Sequence, residues 1–362
     1  MIETYLIYNF ILFGTTISAY VYEKSYSKNN QIIFLSLTFL IPFFFLAIRY
    51  NIGTDYPNYV MYFKKIASGM ETIKEPGYEF INKYIADFGF DVQWVFIFFG
   101  FFTFYFAYKA FPKDGFAMSI FLFIAIFYLY EGYSAIRQGL AVAIMLYATK
   151  YIYEKNFFKY FLFILLAMSF HLMTAITLLL LYPFVNKKFN KYTLMLIITI
   201  MFILIYYFNF STKLMEFTGM LFPKYAWYLN SKYVLGASVS YGLAGPLIKI
   251  SIILLIIFNK DSIIKKYPIA NIYINFTVIY IISYILHLKM SIFGRVEHIF
   301  ILYMILSLVF FLKIFKKKTR FIILTLIGLF YYLMFIRYIV NGTFETDNSV
   351  HIAPYQTIFN KY

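Results

Sequence analysis

Long apolar segments constrain the fold of this chain more than any other feature. About twelve runs of mainly apolar residues follow one another between polar breaks. A helix that crosses a bilayer needs roughly 17–25 such residues, and inside lipid it must pair its own backbone N–H and C=O groups. The pattern predicts an all-α, polytopic membrane helix bundle of about ten to twelve spans. The predicted spans are 3–21, 31–48, 93–111, 116–132, 137–153, 158–171, 172–185, 192–210, 243–258, 269–287, 296–312 and 321–340.

Composition supports this prediction and excludes several classes of protein. The 362 residues are 62% hydrophobic and 13% charged, whereas a soluble domain has about 25% charged residues. The sequence has no cysteine, which excludes disulfides, thiol nucleophiles and cysteine-based metal sites. We expect one integral membrane domain over residues 1–362.

The basic residues indicate an orientation. The formal net charge of +16 at pH 7 would suit binding to nucleic acid. However, every second connection between the predicted spans is rich in basic residues: together these connections hold 18 of the 32 Lys and Arg residues but 4 of the 16 Asp and Glu residues. These connections are 22–30, 109–115, 150–159, 186–191, 259–268 and 313–320. Cytoplasmic loops carry such an excess. We therefore predict no nucleic-acid partner, and we expect both termini and the loops at 49–92 and 211–242 to face the extracytoplasmic side.

The 49–92 loop carries a helical pattern. Pro57 follows Asp55, a plausible N-cap, and apolar residues then recur at helical spacing on both sides of a break at 69–77. These residues are Tyr59, Val60, Phe63 and Ile66, followed by Tyr78, Ile81, Ile85 and Phe88. The loop is predicted to contain two amphipathic helices that lie at the membrane surface.

Chemically diverse side chains gather at the predicted outer ends of the spans. An ionisable group at the bilayer centre costs roughly 2.5–3.5 kcal/mol, so such groups tend to face a bundle interior or a wet cavity. Their shared side of the membrane predicts one site at the outer face. The residues concerned are Arg49, Asp55, Glu75, Glu131, Arg137, Gln138, His171, His287, Arg295, Glu297 and His298.

Some of these residues also have purely structural interpretations. Arg49 and Arg295 fit interfacial anchors, and Arg137 fits an ion pair with nearby Glu131. Lys249, alone in "PLIKISII", is expected to extend its amino group towards the membrane surface or to pack.

Six segments together resemble the EpsG family of Wzy-type polysaccharide polymerases. They are "RYNIGTDYPNYVMYF", "EPGYEFIN", "SAIRQGLAVAIMLYATKYI", "LLAMSFHLMTAI", "FGRVEHIF" and "APYQTIF". The elements R-x-x-x-G-x-D-Y, E-P-G-Y, R-Q-x-L-A and F-H occur in the family's order and at similar spacing. The resemblance covers most of the chain except roughly 186–270.

The resemblance implies a helical bundle of the glycosyltransferase C type that lengthens an exopolysaccharide, capsule or O-antigen. Such enzymes use oligosaccharide repeat units carried on undecaprenyl pyrophosphate. They transfer the growing chain to a new unit at the extracytoplasmic face of the plasma (inner) membrane, with inversion as the expected stereochemistry. The implied partners are the lipid-linked oligosaccharide, membrane lipid, a flippase and a chain-length regulator.

Chemistry then suggests catalytic roles. Negative charge builds on the departing pyrophosphate, and arginine forks bind phosphate oxygens in bidentate fashion, so Arg49, Arg137 and Arg295 are candidates for binding it. The acceptor hydroxyl needs a general base. His171 fits this role, although a packing histidine is an alternative, and Asp55 and Glu75 are the next candidates.

Further residues are predicted to bind sugar. Aromatic faces can stack against sugar rings and polar side chains can bind hydroxyls; the candidates are Tyr56, Tyr59, Tyr78, Tyr355, Glu75 and Gln138. No clustered metal-ligand spacing occurs in the sequence, so we expect neither a metal nor another cofactor.

Two other functions stay open at this stage. A flippase or other transporter of lipid-linked oligosaccharides would place basic residues deep within its spans and often has related halves. A membrane acyltransferase that modifies the polysaccharide would use an outer histidine but leaves the arginines unexplained.

Overall fold

The computed structural model describes residues 1–70, 72, 75–221, 244–343 and 350–360, and these are nearly all helical. The first nine helices are α1 (Ile2–Lys24), α2 (Lys28–Ile48), α3 (Tyr56–Ala67), α4 (Pro76–Asp87), α5 (Gln93–Ala110), α6 (Phe116–Leu122, continued by Phe123–Tyr128 and Leu129–Glu131), α7 (Ile136–Tyr153), α8 (Phe157–Met168) and α9 (Leu172–Leu180). A short turn, Tyr182–Val185, precedes α10 (Lys191–Tyr207), α11 (Phe210–Leu221), α12 (Ala244–Phe258), α13 (Lys260–Lys266), α14 (Ala270–Lys289), α15 (Gly294–Leu312) and α16 (Lys317–Val340).

The predicted all-helical membrane bundle is confirmed. All twelve predicted spans coincide with helices to within a few residues. Among the described residues, five helices are long and apolar enough to cross a membrane, namely α1, α2, α14, α15 with its preceding turn, and α16. The total rises to six if α10 and α11, which meet at a bend of 87°, form one span. The chain is thus a multi-pass membrane protein, and the number of ten to twelve spans stays a prediction.

Contacts divide the chain into two compact units. Unit 1 comprises Met1–Leu181 and Phe315–Tyr362, and unit 2 comprises Tyr182–Ile314. In unit 1, α1 packs on α2 and α6, and α5 packs on α2 and α7. In unit 2, α14 and α15 form a closely packed hairpin. The expectation of a single domain stays a prediction.

A proline inside α2 shows how the apolar helices satisfy their backbone. Pro42 has no N–H group, so it cannot donate to the carbonyl of Thr38 four residues earlier. The hydroxyl of Tyr108, on α5, donates to that carbonyl at 3.2 Å. The hydroxyl of Tyr128 donates to the carbonyl of Pro42 itself at 2.8 Å. The Tyr108 hydroxyl thus replaces the backbone donor that proline lacks.

The second half of α6 is wound as a π-helix over Phe123–Tyr128. Such stretches are rare and often lie next to functional sites. Here the π-helical stretch leads into the joint at 131–135, before α7 begins at Ile136.

The two amphipathic helices predicted within 49–92 are confirmed as α3 and α4. Asp55 occupies the N-cap position of α3, as expected, although its side chain makes no capping bond. Both helices begin with proline in their first turn, where the missing N–H group costs nothing. Most of the second predicted loop, 211–242, lies outside the described residues; its first part belongs to α11.

Candidate functional site

Arg137 lies in the first turn of α7 and forms an ion pair with Glu75, the N-cap residue of α4. Its guanidinium carbon also lies 5.1 Å from the centre of the Tyr78 ring, and its guanidinium adjoins the hydroxyl of Tyr59. The Arg137 and Glu75 side chains each remain 20% exposed. An arginine held by a carboxylate and two rings, yet open to solvent, can bind an anionic ligand. We call Arg137, Glu75, Tyr59 and Tyr78 the Arg137 site.

The start of α4 is fastened to the end of α8. The backbone N–H groups of Gly77 and Tyr78 both donate to the carbonyl oxygen of Ser169, at 2.8 and 3.2 Å. A Cβ atom on Gly77 would lie 2.5 Å from Ser169 Oγ and 2.8 Å from Ser169 O, so this approach requires glycine. His171 follows two residues after Ser169. The E-P-G-Y segment thus contacts Arg137 of the R-Q segment and Ser169, which directly precedes the F-H pair.

His171 caps the N-terminus of α9. Its Nδ1 accepts a hydrogen bond from the backbone N–H of Thr174 at 3.3 Å and lies 2.8 Å from Thr174 Oγ1. Because a backbone N–H can only donate, Nδ1 carries the lone pair, and a neutral imidazole then holds its proton on Nε2. In this arrangement Nε2 is a hydrogen-bond donor. That geometry suits contact with an anionic oxygen better than removal of a proton.

Arg49 is fully buried. Its Nη1 donates to the carbonyl of Gly132 at 2.6 Å, and its guanidinium carbon lies 4.6 Å from the Phe96 ring centre and 4.8 Å from the Tyr133 ring centre. Burial lowers the pKa of Arg49. Within the described part of the chain, its Nε and Nη2 have no hydrogen-bond partner. In this conformation Arg49 ties the end of α2 to the 131–135 joint and is closed to solvent.

The C-terminal tail, residues 350–360, packs along the segment that follows α2. The N–H of Tyr50 donates to the carbonyl of Gln356 at 2.9 Å, and the N–H of Gly53 donates to the carbonyl of His351 at 2.8 Å. An isolated β-bridge joins Arg49 and Thr357. The tail therefore fixes the backbone of the R-x-x-x-G-x-D-Y segment.

Tyrosines attach the same tail to the helices beneath it. The hydroxyl of Tyr8 donates to the carbonyl of Ile352 at 2.7 Å. The hydroxyl of Tyr355 donates to the carbonyl of Phe45 at 2.6 Å, and burial raises the pKa of Tyr355 well above its usual value. Tyr355 thus anchors the tail, and its predicted contact with sugar stays a prediction.

The model of the EpsG family matches residues 32–357. The chain belongs to the EpsG family. It is therefore a member of a family of polysaccharide polymerases. A comparison with curated proteins finds no match, and neither does a comparison with solved structures. The matched range contains Arg49, Glu75, Arg137, His171 and Tyr355.

Several predicted sugar-binding residues of this EpsG-family chain are buried. Tyr56, Tyr59 and Gln138 are each 5% exposed and Tyr78 is fully buried. The Tyr56 ring stacks on Phe96 with ring centres 4.8 Å apart, and burial raises the pKa of Tyr59 to about 12. The Tyr59 and Tyr78 rings lie beside Arg137. Contact of these four residues with sugar stays a prediction.

Asp55 lies at the start of α3. It is half-buried, and the amide of Asn58 donates to its Oδ1 at 3.4 Å. Its predicted catalytic role stays a prediction.

The carboxylate that pairs with Arg137 is not Glu131, the partner that the sequence suggested. Glu131 is close in sequence but is 1% exposed and packs beside Gly139. The paired carboxylate is instead Glu75, which lies 62 residues away in the sequence. Proximity in the sequence favoured Glu131. The pairing with Glu75 depends on the path of the 49–92 loop, which only the tertiary structure reveals.

Arg295 belongs to unit 2, so its predicted place beside Arg49 and Arg137 stays a prediction. Unit 2 also holds a polar cluster whose members the sequence indicated singly but not as a group. Lys249, expected as an interfacial or packing lysine, instead pairs with Glu297, and Glu297 also contacts His287. The sequence feature that pointed to these residues was a single lysine and a single glutamate, each within an apolar helix. Their pairing could not be read from the sequence because they lie 48 residues apart.

Proposed function

We propose that the protein joins oligosaccharide repeat units carried on undecaprenyl pyrophosphate, at the extracytoplasmic face of the plasma membrane. Membership of the EpsG family supports polymerase activity. The excess of Lys and Arg in alternate connections supports the orientation. The observation that carries the proposal is the Arg137 site, where a partly exposed arginine pairs with Glu75 of a segment that is itself bonded to Ser169.

In the proposed reaction, a sugar hydroxyl of one unit attacks the anomeric carbon of the growing chain. The bond from that carbon to the pyrophosphate oxygen breaks, and its electron pair leaves with the pyrophosphate. The acceptor hydroxyl gives up its proton, and the anomeric configuration is inverted. The product is a chain longer by one repeat unit, together with undecaprenyl pyrophosphate.

Arg137 is proposed to bind the departing pyrophosphate. Glu75 contacts Nη1, so the guanidinium is already oriented before substrate arrives. Preorganised cations of this kind stabilise charge that develops in the transition state. Arg49 orders the neighbouring joint through Gly132, and its direct contact with pyrophosphate requires a conformation in which that arginine is uncovered.

His171 is proposed to donate a hydrogen bond from Nε2 to a pyrophosphate oxygen. Its Nδ1 is occupied by the Thr174 amide, which fixes the donor at Nε2. Asp55 and Glu75 are carboxylates of the kind that accept hydrogen bonds from sugar hydroxyls. The arginines supply positive charge for the leaving group, so the proposed reaction needs no metal ion.

The decisive experiment gives the purified chain, in detergent, a synthetic undecaprenyl-pyrophosphate-linked repeat unit. A polymerase produces a ladder of longer products, whereas a flippase leaves the unit unchanged and an acyltransferase modifies it without lengthening it. Absence of a ladder under conditions where the protein stays folded would refute the proposal.

Two variants test the roles within the site. Arg137→Ala removes the anion-binding group, and we expect polymer to disappear from cells while protein level and repeat-unit synthesis persist. His171→Asn keeps an acceptor for the Thr174 amide, because asparagine is a good N-cap residue, but removes the donor at Nε2. We expect His171→Asn to keep its thermal stability and to lose most of the rate. Normal long chains from either variant would contradict its assignment.

A further inference from the structure

A groove opens on the surface of unit 1 beside α3. It is bounded by that helix, by the segment that follows α2 and by the joint before α5. Its volume is about 730 Å³, within the range of roughly 300–1,000 Å³ that is usual for pockets that bind small ligands. Its polar and aromatic lining consists of Tyr50, Asn51, Tyr56, Lys64, Lys65 and Asp91. We call this space the α3 groove.

One face of α3 forms a wall of the groove. Val60 and Lys64 lie one helical turn apart on this face and both line the groove. Tyr59 and Phe63 lie on another face of the helix and are buried, and Tyr59 adjoins the guanidinium of Arg137. The α3 groove is therefore a surface distinct from the Arg137 site, although the same helix contributes to both.

An aromatic pair gives the groove an apolar surface. The rings of Tyr50 and Tyr56 meet edge to face with their centres 6.0 Å apart, and Tyr56 also stacks on Phe96. Tyr50 is more exposed than Tyr56, so the Tyr50 ring offers most of this surface. The C–H groups of a sugar ring can pack against such a ring face. The amide of Asn51, which is exposed, can donate to and accept from sugar hydroxyls.

Two adjacent lysines give the groove positive charge. Lys64 and Lys65 are exposed, and neither forms an ion pair with another described residue. Asp91 also lines the groove, and its Oδ1 accepts from the Gln93 N–H at 3.0 Å at the start of α5. Lysines are depleted in extracytoplasmic loops, so the predicted outward orientation of the 49–92 loop does not account for this pair. The lysines suit an anionic group on a ligand.

The mixture of groups favours an acidic saccharide over a lipid headgroup. The phosphate of a headgroup offers acceptors to the lysines, but the carboxylate of Asp91 and the carbonyl oxygen of Asn51 need donors. Sugar hydroxyls provide such donors. A neutral saccharide would in turn leave the charges of Lys64 and Lys65 without a counterpart.

We propose that the α3 groove binds an acidic sugar of the growing polysaccharide, whose carboxylate or phosphate group pairs with Lys64 and Lys65. This inference rests on the polymerase reaction proposed above. Asn51 and Asp91 bind hydroxyl groups of the same segment, and the Tyr50 ring packs against a sugar ring. The growing chain is thereby held against α3 between successive transfers. It follows that the repeat unit contains an acidic sugar.

The first test is the composition of the polymer that depends on this protein in cells. We expect sugar analysis to find a carboxylate- or phosphate-bearing residue in each repeat unit. A polymer made only of neutral sugars would overturn the inference and leave the polymerase proposal standing.

The second test measures how purified full-length protein, in detergent, binds fragments of that polymer. Native fragments are compared with fragments whose carboxyl groups have been reduced to alcohols, and with fragments whose phosphate groups have been removed. Removal of the acidic group that is present should raise the dissociation constant roughly 5- to 30-fold, because two exposed ion pairs are lost. Added salt should weaken binding of the native fragment as well. Equal binding of native and neutralised fragments would overturn the inference.

Matched variants locate the binding. A double variant, Lys64→Gln with Lys65→Gln, should bind the native fragment more weakly by the same factor and bind the neutralised fragment as the unaltered protein does. Lys83→Gln, which alters an exposed lysine on α4, should change neither. Val60→Trp places a ring in the groove and should weaken binding of both fragments, with a melting temperature close to that of the unaltered protein. Normal binding of the native fragment by the double variant would contradict the proposal.

The outcomes separate this inference from the proposed function and from lipid binding. Fragment binding without a ladder of products would refute the polymerase proposal and leave the groove as a saccharide site. A ladder from a protein that binds no acidic fragment would overturn the groove inference alone. Phosphatidylglycerol added to the detergent should not displace the fragment, and displacement would assign the groove to a lipid headgroup instead.

Discussion

Gly77 is the point at which α4 touches the end of α8, and replacing it tests how the Arg137 site is held together. In Gly77→Ala the new Cβ would lie 2.5 Å from Ser169 Oγ and 2.8 Å from Ser169 Cβ and O. Overpacking of this kind costs about 1–3 kcal/mol. The two amide bonds to the Ser169 carbonyl would weaken, at about 0.5–1 kcal/mol each. The attachment of α4 should therefore lose about 2–5 kcal/mol.

The assay is hydrogen exchange of the α4 amides in the purified protein. Each 1.4 kcal/mol is a tenfold change in an equilibrium, so the open state of α4 should become roughly 30- to 4000-fold more populated and its amides should exchange faster by up to that factor. Polymer formation should fall as well, because Glu75 and Tyr78 move together with α4.

Two controls sharpen this test. Gly328→Ala on α16 adds the same methyl group where a Cβ would meet nothing within 4 Å, so exchange and activity should not change. Adding Ser169→Gly to Gly77→Ala removes the Oγ and Cβ clashes but leaves the carbonyl clash, so protection should return in part. Unchanged α4 exchange in Gly77→Ala would refute the argument that this contact anchors the helix.

The remaining predictions concern other contacts in unit 1. Arg137→Lys keeps the charge but loses the planar fork, so kcat in the ladder assay should fall between those of the unaltered protein and Arg137→Ala; equal rates for lysine and arginine would rule out bidentate binding. Arg49→Met removes the buried bond to Gly132 and the ring contacts, and should lower the free energy of unfolding by about 2–4 kcal/mol. A thermal-shift assay would detect this as a lower melting temperature, whereas an arginine that only anchored the chain at the membrane surface would leave the melting temperature unchanged. Because burial raises the pKa of Tyr59 to about 12, its contribution to stability is full below pH 10 and is lost as the pH rises towards 12; Tyr59→Phe should show a smaller fall in melting temperature over that interval than the unaltered protein. Tyr8→Phe should loosen the C-terminal tail by about 1 kcal/mol, measured as faster exchange of the Ile352 amide, and no change would mean that the hydroxyl bond does not hold the tail.

The local features of the fold were accessible from the sequence. Apolar run length located the apolar helices to within a few residues, and at least five of these are long and apolar enough to cross a membrane. Helical spacing after Pro57 and after Pro76 predicted α3 and α4, which the structure confirms. The family resemblance, read from short ordered motifs, is confirmed by the match over residues 32–357.

The pairing of polar side chains was decided by tertiary structure. Sequence proximity suggested Glu131 as the partner of Arg137, whereas the fold brings Glu75 there. Likewise, Arg49 fitted an interfacial anchor by its position after α2, yet the 131–135 joint and the C-terminal tail bury it.

The sequence by itself therefore determined which segments form long apolar helices, because that property depends on the summed apolar character of about twenty neighbouring residues. Tertiary structure alone decided that Glu75 pairs with Arg137 and that Nδ1 of His171 accepts from the Thr174 amide. The physical reason is the range of the forces concerned. Burial in lipid adds up along a helix, whereas a hydrogen bond depends on the placement of single atoms that the intervening chain brings together.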